Sequence, residues 1–83
     1  MEIKFSNEAL RSLRRSNKRS LIRQKIDLLA TEPASLAANV KKLNGRDGYR
    51  LRVQDWRVIF RVENGMVLID EIAPRGSVYE VKE

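Results

Sequence analysis

The dipeptide Asn64-Gly65, set between two segments that alternate polar and apolar residues, constrains this chain more than any other feature. A two-residue hairpin turn that matches the twist of its strands needs positive φ at both central positions. Asparagine and glycine reach that region most easily. Before the turn, Trp56, Val58, Phe60 and Val62 share one face, with Arg57, Ile59 and Arg61 opposite. Residues 66–73 form the returning strand, which Pro74-Arg75-Gly76 breaks. Upstream, Tyr49, Leu51 and Val53 alternate with Arg50 and Arg52, and Gln54-Asp55 reads as a turn. The period of two therefore predicts an antiparallel meander over 49–73, with 78–81 as a last short strand.

The first third of the chain has a different rhythm. Glu2-Ile3-Lys4-Phe5 alternates as a half-buried strand does. Ser6 and Asn7 offer N-caps and Glu8 suits a first turn, which predicts a helix over 8–15 with Leu10 and Leu13 on its apolar face. A second helix over 18–31 carries Leu21, Ile22, Ile26, Leu28 and Leu29 as a stripe, with Lys18, Arg19, Arg23 and Lys25 mostly covering the other side. Pro33 ends it. Residues 34–48 read as a connecting loop whose Gly45-Arg46-Asp47-Gly48 is a turn, lacking the Lys-Ser/Thr of a phosphate-binding loop. Strand, helical hairpin and meander make an α+β, two-layer arrangement with both helices on the Trp56/Phe60 face. At 83 residues the chain is a single domain over 1–83.

With no cysteine and no histidine, a disulfide framework, a zinc finger, a thiol nucleophile and a histidine base are excluded. No cofactor or metal is expected. The longest apolar run is the four residues 66–69, so a membrane span and a signal peptide are not expected, and a cytoplasmic protein is the simplest reading. The net charge is +6, unevenly spread. Residues 1–31 hold eight bases and three acids and residues 41–61 seven and two, whereas residues 62–83 hold two and five. An anionic partner follows; charge alone leaves nucleic acid, an acidic protein and a membrane surface open.

Register gathers the arginines. With Gln54-Asp55 as the turn, Val53 lies opposite Trp56, Arg52 opposite Arg57, Leu51 opposite Val58, Arg50 opposite Ile59 and Tyr49 opposite Phe60. Two guanidiniums directly across a strand pair are normally destabilising, and a phosphate between them would reverse that. The next hairpin sets Arg61 against Leu68 and Ile59 against Asp70, which makes Asp70 diagonal to Arg57 and Arg61 and turns Glu71, against its chemistry, to the apolar face. Cations on an open sheet face are also ordinary solvated or edge-protecting residues, so the pattern alone leaves both readings open. Trp56 reads as core, and Tyr79 as either a core lid or a hydroxyl at the edge of the basic face.

The run Leu43-Asn44-Gly45-Arg46-Asp47-Gly48-Tyr49-Arg50-Leu51-Arg52-Val53, followed by Asp55-Trp56-Arg57-Val58-Ile59-Phe60, resembles the central block of the RelE/ParE toxin superfamily. The ending Ile72-Ala73-Pro74-Arg75-Gly76-Ser77-Val78-Tyr79 is similar to the tail of its RelE-like branch. The resemblance spans nearly the whole chain. It implies a RelE-like fold and a toxin of a bacterial type II toxin–antitoxin pair, held inactive by a cognate antitoxin protein in a higher-order assembly. RelE-like members cut mRNA on the ribosome and so inhibit translation: the ribose 2′-hydroxyl attacks the neighbouring phosphate and leaves a cyclic phosphate. By the same resemblance Arg50 and Arg52 line the site where the family often has lysines, Arg57 and Arg75 hold the scissile phosphate, and Tyr79 stacks on or orients the nucleotide. Arginine is not deprotonated in a protein, so the base goes unnamed, with Tyr79 as one proton-transfer group and Lys41 or Lys42 as more remote ones. ParE-like relatives use the same scaffold to poison DNA gyrase by protein contact, which is the alternative. A stand-alone nucleic-acid-binding module would explain the charge but not the tail.

Overall fold

In the computed structural model, which describes residues 1–75, the first helix begins as its sequence dictates. The Ser6 hydroxyl accepts a hydrogen bond from the Ala9 amide at 2.9 Å and donates one to the Asp70 carbonyl, also at 2.9 Å. One side chain thus caps a helix and ties it to a strand 64 residues away. The elements run β1 (Glu2–Phe5), α1 (Asn7–Arg15), α2 (Arg19–Thr31), a 3₁₀ helix (Pro33–Asn39), β2 (Val40–Lys42), β3 (Tyr49–Val53), β4 (Trp56–Glu63) and β5 (Met66–Pro74). Buried Ser16 separates the two helices; its hydroxyl accepts from the Lys18 amide at 2.9 Å.

The sheet order is β1-β5-β4-β3-β2. β2 to β5 are antiparallel neighbours, whereas β1 joins β5 in parallel, so the sheet is mixed and the meander is closed on one side by the first strand. The helices cover one face only. Ala9 and Leu13 of α1 and Ile22, Ile26, Leu29 and Ala30 of α2 pack on Leu51, Val53, Val58, Phe60, Val67, Ile69 and Ile72, with Trp56 half-buried at the margin. This is the expected α+β two-layer arrangement, with the core on the Trp56/Phe60 face.

Three details depart from the sequence reading. The expected loop over 34–48 contains a 3₁₀ helix, opened by Pro33 and anchored by buried Leu36, and the three-residue β2. Ala9 replaces Leu10 as the second fully buried residue of α1. The third concerns register. β3 and β4 pair as expected in all five positions, and Arg61 does oppose Leu68. Between Ile59 and Phe60, however, the ladder slips: Phe60 pairs with Ile69, and Ile59 with Glu71 rather than Asp70. Asp70 is the extra residue of a β-bulge. The slip returns Ile72 to the core, 2% exposed, and turns Glu71 to the open face beside Ile59. The expected strand over 78–81 and Tyr79 lie outside the described residues.

Both turns that hold β4 use left-handed backbone. Asn64 and Gly65 sit at φ 51° and 76°, as the Asn-Gly signal requires, and Gln54 sits at φ 53°. Gly48 closes the β2–β3 connection at φ 121°, where a Cβ would lie 2.8 Å from the Phe60 carbonyl oxygen, so only glycine fits.

Candidate functional site

Side chains of a strand alternate between faces, so the residues opposite the helix-covered positions share the open face of the sheet. Two rows of it carry the candidate residues. In one, Lys41 of β2 pairs with Arg50 of β3, which pairs with Ile59 of β4, which pairs with Glu71 of β5. In the next, Arg52 pairs with Arg57 and Arg57 with Ala73. Arg75 follows two residues after Ala73, held at the end of the sheet by its amide, which donates to the Asp55 carbonyl at 2.6 Å. Arg52 and Arg75 are exposed; Arg50 and Arg57 are half-buried. Adjacent strands lie about 4.8 Å apart, and same-face neighbours along a strand about 6.7 Å apart, a grid on which the forked donors of arginine can meet the oxygens of one phosphate or of two consecutive ones.

The anionic groups nearby are unequally engaged. Asp70 accepts two hydrogen bonds from Arg61, at 2.8 and 3.1 Å, and Arg61 also reaches Glu63 at 2.8 Å. The bonds from Asp70, then its charge, hold the Arg61 guanidinium charged even further above its ordinary range. Arg61 and Asp70 therefore form a closed structural pair, and the expected sharing of Asp70 reduces here to the Arg61 side. Among the described residues Glu71 contacts Arg46, from the loop between β2 and β3, at 3.5 Å. That loop also carries Leu43, which is buried although outside the main core. A cavity of about 170 Å³ lies at its base, lined by Lys41, Lys42, Leu43, Asn44 and Arg50.

Of the residues singled out from sequence, the structure brings Arg50, Arg52 and Arg57 onto one face and sets Arg75 at its end; Tyr79 lies outside the described residues. Two further groups join them. Lys41, named from the sequence only as a remote proton-transfer group, enters through the β2 pairing, and Glu71, expected on the apolar face, enters through the bulge. Among the described residues no three carboxylates gather where they could hold a metal ion, and no helix is long and apolar enough to cross a membrane.

Comparison with known proteins extends this picture. The sequence model of the ParE toxin of type II toxin–antitoxin systems matches residues 3–79. No curated protein matches the chain in sequence. Among solved structures, the fold is similar to an archaeal RelE–RelB complex from Pyrococcus horikoshii OT3, with a TM-score of 0.76 and 28% identity, covering 93% of this chain and 97% of that one. It is also similar to the isolated Escherichia coli RelE toxin, with a TM-score of 0.73 and 21% identity over 93% of this chain and 86% of that one. The E. coli protein YafQ shares the fold at a TM-score of 0.77 and 14% identity, covering 95% and 98% of the two chains.

Proposed function

The chain belongs to the ParE toxin family of type II toxin–antitoxin systems, within the RelE/ParE superfamily, and on that footing we propose that it is a ribosome-dependent mRNA endonuclease that arrests translation. One observation carries the reading: Arg52 stands directly across from Arg57, with Arg50 beside them and Arg75 at the end of the same sheet. Like charges placed opposite one another cost stability, and a phosphate bound between them would recover it.

In this mechanism Arg57 and Arg75 hold the scissile phosphate, and Arg50 and Arg52 line the message beside it. The 2′-hydroxyl attacks phosphorus, the bond to the 5′-oxygen breaks, and a cyclic phosphate remains. The guanidiniums stabilise the charge that builds on the phosphoryl oxygens, and the ribosome aligns the message. Tyr79 stacks on the nucleotide or orients it. Metal and cofactor take no part in the proposal. The partner in the resting state is a cognate antitoxin, as the relative from P. horikoshii, at 28% identity, is complexed with RelB. An acidic segment with apolar anchors fits a chain of charge +6 that exposes Tyr49 and Val62.

The second reading is a gyrase poison acting by protein contact; arginine at both positions where the nuclease branch often has lysine favours it. Primer extension on a translated message with purified ribosomes separates the two. Cuts that appear only with ribosomes support the nuclease, and an intact message together with blocked gyrase supercoiling replaces it with the poison.

A further inference from the structure

We propose that Glu71 is the proton acceptor for the attacking 2′-hydroxyl, a role that rests on the nuclease reading. The arginines cannot fill it, because a guanidinium does not give up its proton at working pH. A carboxylate can, provided it stands within hydrogen-bond reach of the hydroxyl. The bulge at Asp70 supplies one. Without it, strict alternation would send Glu71 into the helix-covered layer; with it, Glu71 pairs with Ile59 and faces out beside the arginines. Bulges commonly re-aim a side chain next to an active site.

The placement suits the chemistry. Glu71 lies diagonal to Arg57, because Arg57 pairs with Ala73 and Ile59 with Glu71. Across Ile59 stands Arg50, two strands away and so roughly 10 Å between backbones. Ile59, which separates them in the ladder, is apolar and 1% exposed. Two neighbouring carboxylates are engaged elsewhere: Asp70 accepts two bonds from Arg61, and Glu63 is bound to the same guanidinium. Among the described residues Glu71 is held by Arg46, at 3.5 Å, with the two side chains 37% and 47% exposed, a contact that costs little to open. In the step, the 2′-hydroxyl proton passes to a Glu71 oxygen as the O2′–P bond forms. The P–O5′ bond breaks with its electron pair on O5′, which takes a proton from water, and Glu71 then releases its own proton to solvent.

Among the described residues, the charged groups near Glu71 are Arg46 from the β2–β3 loop, Arg57 and Arg61 from β4, Arg50 and Lys41 beyond Ile59, and Asp70 on its own strand. The test is single-turnover cleavage of a ribosome-bound message across pH by wild type, Glu71→Gln, Glu71→Asp and Arg46→Ala, each checked for folding by thermal melt. Glu71→Gln is expected to slow cleavage roughly a hundredfold or more and to erase the acid limb of the pH–rate profile. Glu71→Asp should regain part of the rate, and Arg46→Ala, which breaks the ion pair but keeps the carboxylate, should retain the limb. Cleavage by Glu71→Gln within about threefold of wild type, or a slowed enzyme whose acid limb persists, overturns the assignment while leaving the nuclease reading intact. Wild-type protein that cuts nothing while blocking gyrase removes both.

Discussion

Arg52 is the residue at which stability and function pull apart most clearly. It is exposed and faces Arg57 directly across the β3–β4 ladder, so in the free protein it contributes repulsion and little burial. Arg52→Ala should melt at or slightly above the wild-type temperature, because exposed substitutions that relieve like-charge contacts fall within about 0.5 kcal/mol of neutral or better. The same variant should lose ribosome-dependent cleavage by roughly a hundredfold, the scale on which a single electrostatic contact to a transition state is felt. A variant that melts well below wild type would show Arg52 to be structural. The contrast with Arg61 is instructive, since that side chain lies on the same face but is fixed between Asp70 and Glu63. Arg61 is fixed in the sheet by two carboxylates, and the proposal gives Arg52 to the ligand, a distinction that residue type alone cannot make.

The hairpin that presents Arg52 and Arg57 is itself built at some expense, because Gln54 occupies φ 53°, a region that disfavours a side chain with a Cβ. Gln54→Gly should relieve that conformation and, after the added entropy of the unfolded chain, stabilise by roughly 0.5–1 kcal/mol. In a domain this small that is a rise of a few degrees in Tm, measurable by calorimetry; no rise would mean that the Gln54 side chain supports the turn in some other way. The pairing of β3 with β4 is legible in the sequence because two alternating segments joined by a short turn admit one register that matches Leu51 with Val58 and Tyr49 with Phe60. Arg50, Arg52 and Arg57 follow from that register, whereas Arg75 is named only through the resemblance of residues 72–79 to the RelE-like tail. What escaped the sequence reading has physical causes. Three residues are too few to display a period, so β2 lay hidden in a loop, and with it the pairing that sets Lys41 beside Arg50. Asp70 and Glu71 are both acidic, so nothing in hydropathy marks which of them is the extra residue. The parallel contact of β1 with β5 joins segments more than sixty residues apart, and local pattern carries no information about it.

For the whole molecule, the question is whether a net charge of +6 acts as a diffuse field or through one face. The helices carry exposed Arg11, Arg14, Arg15 and Arg19 in the opposite layer from the open sheet face, so both surfaces could attract RNA. Counterion release distinguishes them, since each phosphate neutralised on a single strand contributes about −0.7 to the slope of log K against log salt. Four arginines on the sheet face predict a slope of about −3 for a short single-stranded RNA, read by fluorescence anisotropy across a salt series. Arg75→Ala should reduce the slope by about 0.7, whereas Arg11→Ala, on the exposed side of α1, should leave it unchanged. Equal effects from the two variants would mean that the RNA is held by the general field of the protein. A slope near zero would mean that RNA is not the ligand of this face, and weight would then pass to a toxin that works by protein contact. The sheet-face reading requires the slope to follow Arg75 and not Arg11, because Arg75 stands at the end of the face that carries Arg52 and Arg57 and Arg11 stands in the opposite layer.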